Sequence, residues 1–285
     1  MTVLDAHLHL WDLGSGGYGW LGPLHGPLHR SFSAEDAERE LRTCGVDAAV
    51  LVQAEDSEAD TLFMLDVADR CAWVAGVVGW VQLDDPARVE DQLARYADHA
   101  AFHKAFRGVR HLVHDDPRDD FLELAPVRRS LGLLAERGLP LDVPDAWPRH
   151  LTRLPRLADA LPGLTLVLDH LGKPPRGTDE LDAWTAALGE VARRPNVVAK
   201  VSGLQRLGQP FNAAALRPVW DLALEAFGPD RLMYGGDWPM TVPDGGYQPH
   251  WQVIAGLVDD LAPDERTALL AGTAARTYRL KVTNG

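Results

Sequence analysis

D-A-H-L-H-L-W-D (Asp5 to Asp12) and G-G-D-W-P (Gly235 to Pro239) stand near opposite ends of a 285-residue chain. Each closes a short apolar run that reads as a β-strand, Val3–His9 in the first case and Arg231–Asp237 in the second. Alternate side chains of a strand share a face, so His7 and His9 point the same way. A first and a last strand become neighbours when a sheet closes on itself. The two imidazoles and Asp237 then converge on one pocket.

Between these two strands lie six more apolar runs: Ala48–Gln53, Val74–Leu83, Phe106–Val113, Leu139–Val143, Leu164–His170 and Val197–Ser202. They are near-continuously apolar, as expected for parallel strands covered on both faces. A longer helical pattern follows each. Ser33-Ala-Glu-Asp supplies an N-cap serine and early acids, and Asp85-Pro puts proline at a first helical position. Further amphipathic stretches cover 58–72, 121–137, 148–161, 179–194, 213–227 and 250–261, and a last helix runs from Ala262-Pro to about Tyr278. Strand and helix alternating eight times predict an α/β fold, a closed (β/α)8 TIM barrel spanning 1–285 as one domain. A doubly wound open sheet is the alternative, but no Rossmann glycine fingerprint follows the first strand. The aromatic, glycine-rich segment 14–29 has no regular pattern, which in a barrel suggests a lid or pocket wall.

Composition narrows the function classes. Charged residues make up 24% of the chain and the formal net charge is −13, with no basic run, which speaks against nucleic acid and anionic membrane as partners. No apolar stretch is long enough for a membrane span, and no export signal opens the chain, so a cytoplasmic protein is expected. The two cysteines, Cys44 and Cys71, lack metal-like spacing and are expected to be reduced.

Barrel active sites form at the C-terminal strand ends. The polar residues there are His7, His9, Arg110, His111, Asp142, His170, Lys200 and Asp237. Imidazole nitrogen and carboxylate oxygen suit zinc and related divalent ions. Asp237 alone could be a turn cap, but beside the histidines it is placed to take a proton from water. His170 could complete a metal site, orient the water or polarise a carbonyl, whereas Asp169 has the opposite parity and reads as structural. Arg110 or His111 could grip a substrate carboxylate or hydroxyl, although adjacent strand residues do not both face inward. Lys200 reads equally well as a salt-bridge partner and as a substrate contact. Trp20 and Trp238 are candidates to pack against a substrate ring, and His25 and His29 could enter the pocket from the long loop. No G-x-S-x-G elbow, P-loop or strand-end cysteine is present, so water is the expected nucleophile.

With H-x-H, V-R-H, D-H-L-G-K-P, K-V-S-G and G-G-D-W-P in barrel order, the chain resembles the amidohydrolase superfamily. Within it, the chain is similar to the amidohydrolase-2 group of fuconolactonase-like and rhamnonolactonase-like sugar lactonases. The resemblance spans essentially the whole chain. It implies hydrolysis of a lactone by water that Asp237 activates, with His7, His9 and His170 binding metal or polarising the carbonyl. For the metal site it points to His7, His9 and Asp237; for catalysis, to Asp237 and His170. The fourth strand lacks the lysine that bridges two metals in other members, and Leu141-Asp-Val-Pro stands where a fifth-strand histidine would be. One divalent ion, zinc by its ligand chemistry, or none is therefore expected. Val143-Pro-Asp-Ala-Trp and Gly236 depart from the group pattern and leave the identity of the lactone open. Non-oxidative decarboxylation of an aromatic or unsaturated acid is the alternative reaction, and a silent binding barrel is the remaining one. Assembly is left open, a homo-oligomer included.

Overall fold

Eight short apolar segments form one parallel sheet in sequence order: β1 (Leu4–Leu8), β2 (Ala48–Val52), β3 (Val74–Gly79), β4 (Phe106–Arg110), β5 (Leu141–Val143), β6 (Leu166–Leu168), β7 (Val197–Val201) and β8 (Leu232–Tyr234). This is the arrangement in a computed structural model, which describes residues 2–281. Every strand falls inside an expected apolar run. β1 and β8 meet at a parallel bridge between Leu8 and Trp238, and the sheet closes into a TIM barrel.

The helices cover the outside. α1 (Ala34–Cys44) begins at Ser33, whose side chain accepts from Asp36 N, and stops at Gly45, which takes a left-handed conformation. α2 (Glu58–Arg70) is capped by Ser57, and α3 (Pro86–Ala97) by Asp85 with Pro86 at its first position. α4 (Phe102–Ala105) is a single turn that no apolar periodicity announces. α5 (Ala125–Arg137), α6 (Leu154–Ala160), α7 (Leu181–Ala192), α8 (Ala213–Phe227) and α9 (Tyr247–Val258) follow, near the expected ranges. The last helix keeps a helical backbone from Pro263 to Thr277, as expected, and widens in its middle. A wide π turn over Ala268–Gly272 separates α10 (Pro263–Thr267) from α11 (Thr273–Thr277), and it buries Leu269, Leu270 and Ala271 together. No described helix is long and apolar enough to cross a membrane. Cys44 and Cys71 are free thiols.

Inside the barrel, Leu4, Ala6, Val50, Val52, Val78, Val167 and Met233 pack with Ala271, Ala274 and Tyr278. The end of the chain thus closes the barrel floor, and only the C-terminal strand ends are left open for a site. Segment 14–29 contains short 3-10 turns at Leu13–Ser15 and Pro23–Leu28. It is tied to the chain after β2: Tyr18 Oη donates to Asp60 (2.7 Å), Trp20 Nε1 to Ala54 O (2.9 Å) and Gly19 N to Glu55 (3.1 Å).

Candidate active site

A cavity of about 330 Å³ opens over the strand ends, lined by His9, Arg110, His170 and Asp237 at its base and by Trp20, His114, Asp145, Lys173 and Met240 around its mouth. Two larger hollows of about 660 and 460 Å³ lie among the outer helices and the barrel bottom, away from these groups. Chemistry rather than size therefore picks out the site.

His7 sits on β1, and His9 follows just past its end. Their Nε2 atoms face each other at 3.0 Å, and Asp237 Oδ1 lies 3.5 Å from His9 Nε2 and 3.7 Å from His7 Nε2. Asp237 and His170 leave their strands in left-handed conformations, with φ of 51° and 56°. Such strain in non-glycine residues is typical of functional sites. It turns both side chains inward over the barrel axis. Asp5 holds the base of this arrangement. Its Oδ1 accepts from the backbone N–H groups of His7 and Gly236, each at 2.8 Å, and its Oδ2 accepts from Tyr247 Oη at 2.8 Å.

Below the cavity lies a buried ionic layer. Lys200 Nζ donates to Asp142 Oδ2 (2.5 Å) and sits 3.1 Å from Asp169 Oδ1 and 3.0 Å from His7 Nδ1. Tyr278 Oη, rising from the floor, also donates to Asp142 (2.7 Å). Arg110 donates Nε to Asp169 (2.9 Å) and Nη1 to Gln53 O (3.1 Å), which leaves Nη2 as the donor for the cavity.

Proton positions follow from these contacts. His9 Nδ1 lies 2.8 Å from Val52 O, a pure acceptor, so Nδ1 carries the proton and Nε2 is bare. His7 has two choices. When Lys200 donates to Nδ1, His7 Nε2–H donates to His9 and the relay is complete without a cation. When His7 Nδ1–H instead turns to Asp169 Oδ1 at 3.3 Å, two bare ring nitrogens and Asp237 Oδ1 face one point. Asp237 Oδ1 is buried without a hydrogen-bond partner. That orphaned oxygen and two bare nitrogens fit a divalent cation.

Burial pushes the His7 and His170 imidazoles below their ordinary values, His7 further because Lys200 is adjacent, and both rings stay neutral. Burial also penalises the Asp237 carboxylate, but in the acid range where it would take up a proton the imidazolium that His170 becomes, with His9 and His7 beside it, holds the group well below the usual carboxylate range. Burial likewise opposes ionisation of Asp169, and Lys200, His7 and Arg110 overcome it.

The structure brings His7, His9, Arg110, His170, Asp237 and Trp20 together, and three expected contacts lie elsewhere. Lys200 is fully buried beneath the site and spent on Asp142 and Asp169, so it cannot touch a substrate. His111, next to inward-facing Arg110, points outward. Its ring stacks on Phe121 at 4.4 Å and accepts from Trp80 Nε1 at 3.0 Å, and burial lowers its pKa to about 4. Trp238 is 2% exposed and packs edge-on against Phe32 rather than facing the cavity. His25 lines the cavity, and His29 does not. The reading from the sequence missed Asp145, Lys173, His114 and Met240, which come from loops with no periodic signal. Asp169, set aside on its parity, lies inside the barrel against His7, Arg110 and Lys200, because the left-handed turn at His170 brings both neighbours inward.

Residues 4–280 match the sequence profile of the Amidohydrolase family. The chain belongs to that family. It is 33% identical over 290 residues to L-fucono-1,5-lactonase of Burkholderia ambifaria, covering 99% of this chain and 97% of that protein. Among solved structures, an amidohydrolase from Burkholderia multivorans with bound zinc superposes with a TM-score of 0.87 at 32% identity, covering 99% of this chain and all of that one. The 5-carboxyvanillate decarboxylase of Sphingomonas paucimobilis shares the fold at 17% identity, with a TM-score of 0.68 over 98% of this chain and 99% of that one.

Proposed function

We propose that this amidohydrolase opens the ring of a lactone, of the sugar-acid kind, with water. The observation that carries the reading is the buried Asp237, whose Oδ1 has no partner and faces the cavity beside His7 and His9. The full-length likeness to an L-fucono-1,5-lactonase supports the same class of substrate.

In this reading Asp237 takes the proton from the attacking water, and water adds to the ester carbonyl. His170 donates to the carbonyl oxygen as negative charge develops there. Asp237 then returns its proton to the departing ring oxygen. Arg110 Nη2 holds a hydroxyl or the carbonyl side of the ring, and Trp20, pinned through its indole N–H to Ala54 O, offers an apolar face to the ring. Segment 14–29, which carries Trp20 and His25, acts as the pocket wall. His7, His9 and Asp237 would hold one divalent ion, zinc by its ligand chemistry. When bound, it supplies positive charge against the oxyanion and lowers the pKa of a water.

The mouth suits an uncharged, hydroxyl-rich lactone better than a dianionic one. Lys173 lies 3.8 Å from Asp145, and Arg110 is already paired with Asp169, so neither cation waits for a second substrate carboxylate.

The test is acid release, followed with a pH indicator, from a panel containing L-fucono-lactone, other aldonolactones and a dicarboxylate lactone. Enzyme as isolated, chelated and zinc-restored is compared with Asp237→Asn. Hydrolysis of a neutral lactone, lowered at least a hundredfold in the variant, is expected. No hydrolysis anywhere on the panel, with carbon dioxide released from an aromatic acid instead, would overturn the proposal.

A further inference from the structure

Behind His170 stands Ser202. His170 Nδ1 lies 2.9 Å from Ser202 Oγ, directly after β7, and both side chains are buried. A serine hydroxyl can donate or accept, so the pair has two proton arrangements. If Nδ1 carried the proton and donated it, the hydroxyl hydrogen would need another acceptor. Among the described residues Ser202 Oγ makes no second hydrogen bond. If the hydroxyl donates instead, both groups are satisfied.

We infer that Ser202 is a positioning residue that donates its hydroxyl proton to His170 Nδ1 and so keeps the imidazole proton on Nε2, at the cavity. The catalytic part of this inference rests on the lactone reading: an Nε2–H is what a developing oxyanion requires. The assignment also separates two roles that distance alone leaves merged. His7, His170 and Asp237 offer ligand atoms within 4.8 Å of one another, a spacing that fits a metal. A His170 Nε2 that bears a proton has no lone pair to give, so the cation site consists of His7, His9 and Asp237, and His170 is free to donate.

Gly203 completes the device. Its φ is +55°, and a Cβ there would sit 2.3 Å from His170 Nδ1 and 2.8 Å from Asp237 Oδ2. Only glycine lets the chain after β7 pass this close to both groups.

The experiment is long-range proton–nitrogen NMR on ¹⁵N-histidine-labelled, metal-free protein, with His170 assigned by its loss in His170→Gln. A protonated Nε2 and bare Nδ1 are expected. In Ser202→Ala that tautomer should no longer dominate, and kcat should fall about 10–100-fold with KM within twofold. Ser202→Thr should restore both. Zinc affinity should be unchanged in His170→Gln and lost in His9→Gln. A protonated Nδ1 in the unaltered protein, or an unchanged tautomer in Ser202→Ala, overturns the inference even if the alanine variant folds poorly. The NMR result does not depend on substrate: a protonated Nε2 in a protein with no lactonase activity sinks the lactone reading alone.

Discussion

Asp60 should make the stability of this barrel fall as pH rises through 6. Its carboxylate is 2% exposed and accepts from Tyr18 Oη at 2.7 Å and Ala54 N at 2.8 Å. Burial nevertheless pushes its pKa up to about 6, against the pull of those donors and of His9. A pKa raised on folding means that the native state holds the proton more tightly than the unfolded chain. The resulting stability is fully present below about pH 4 and is lost as pH rises through about 6. A shift of about two pKa units corresponds to about 3 kcal/mol. Asp60→Asn keeps an oxygen for Ala54 N and an amide for the Tyr18 oxygen, and it does not titrate. Urea unfolding followed by tryptophan fluorescence at pH 4, 5 and 7 gives the difference between the two proteins and cancels every other titrating group. The variant should gain about 3 kcal/mol on the unaltered protein between pH 4 and 7, which is about 1 M in midpoint for a slope of ~3 kcal/mol/M. A gap that stays constant with pH would refute the reasoning.

Other outcomes follow from the same geometry. Lys200→Met should destabilise the protein by about 3–5 kcal/mol in urea unfolding, because it strands Asp142 without its buried counter-charge and leaves Asp169 with Arg110 alone; a loss below about 1 kcal/mol contradicts the ionic layer. Gly236→Ala puts a Cβ 2.3 Å from the Tyr247 ring and 2.4 Å from Asp5 Oδ2. It should cost about 1–3 kcal/mol by overpacking and lower kcat as well, since the displaced chain carries Asp237; unchanged calorimetry and kinetics would count against it. Arg110→Lys should reduce kcat/KM at least tenfold, because an ammonium cannot hold Asp169 and Gln53 O while keeping a donor in the cavity; steady-state kinetics at two salt concentrations checks this.

How much of this was readable in advance depends on how far each strand continues. The eight apolar runs locate the strands because a residue buried on both faces has to be apolar whatever its neighbours. Their ends are less legible. Leu164–His170 yields a strand of only Leu166–Leu168, because the chain turns left-handed at His170, Leu171 and Lys173. No propensity signals such a turn at three side-chain-bearing residues. Parity allowed only one of Arg110 and His111 to face inward without choosing between them, and β4, running straight to Arg110, turns that residue in. Lys200, open between a salt bridge and a substrate contact, lies one residue short of the end of β7. One step of depth there is the difference between touching a substrate and carrying a salt bridge under it. Ser202 carries no signal in the K-V-S-G run, because a hydroxyl gains its meaning only from the imidazole that tertiary folding brings to it.

The closure of the barrel and the assembly of the site are one event. Adjacent strands elsewhere pair through registered ladders, from β1–β2 to β7–β8. Between β1 and β8 the direct backbone bonds are His9 N to Trp238 O and Asp237 N to His7 O, both 2.7 Å. Three of these four residues bear the side chains of the proposed site, and the Asp5 carboxylate clasps the same seam from below. The pairing that brings the two chain ends together therefore also sets the distances among His7, His9 and Asp237. It also explains why the two motifs had to be read together: neither strand end carries a site alone, and each supplies the backbone that fixes the other.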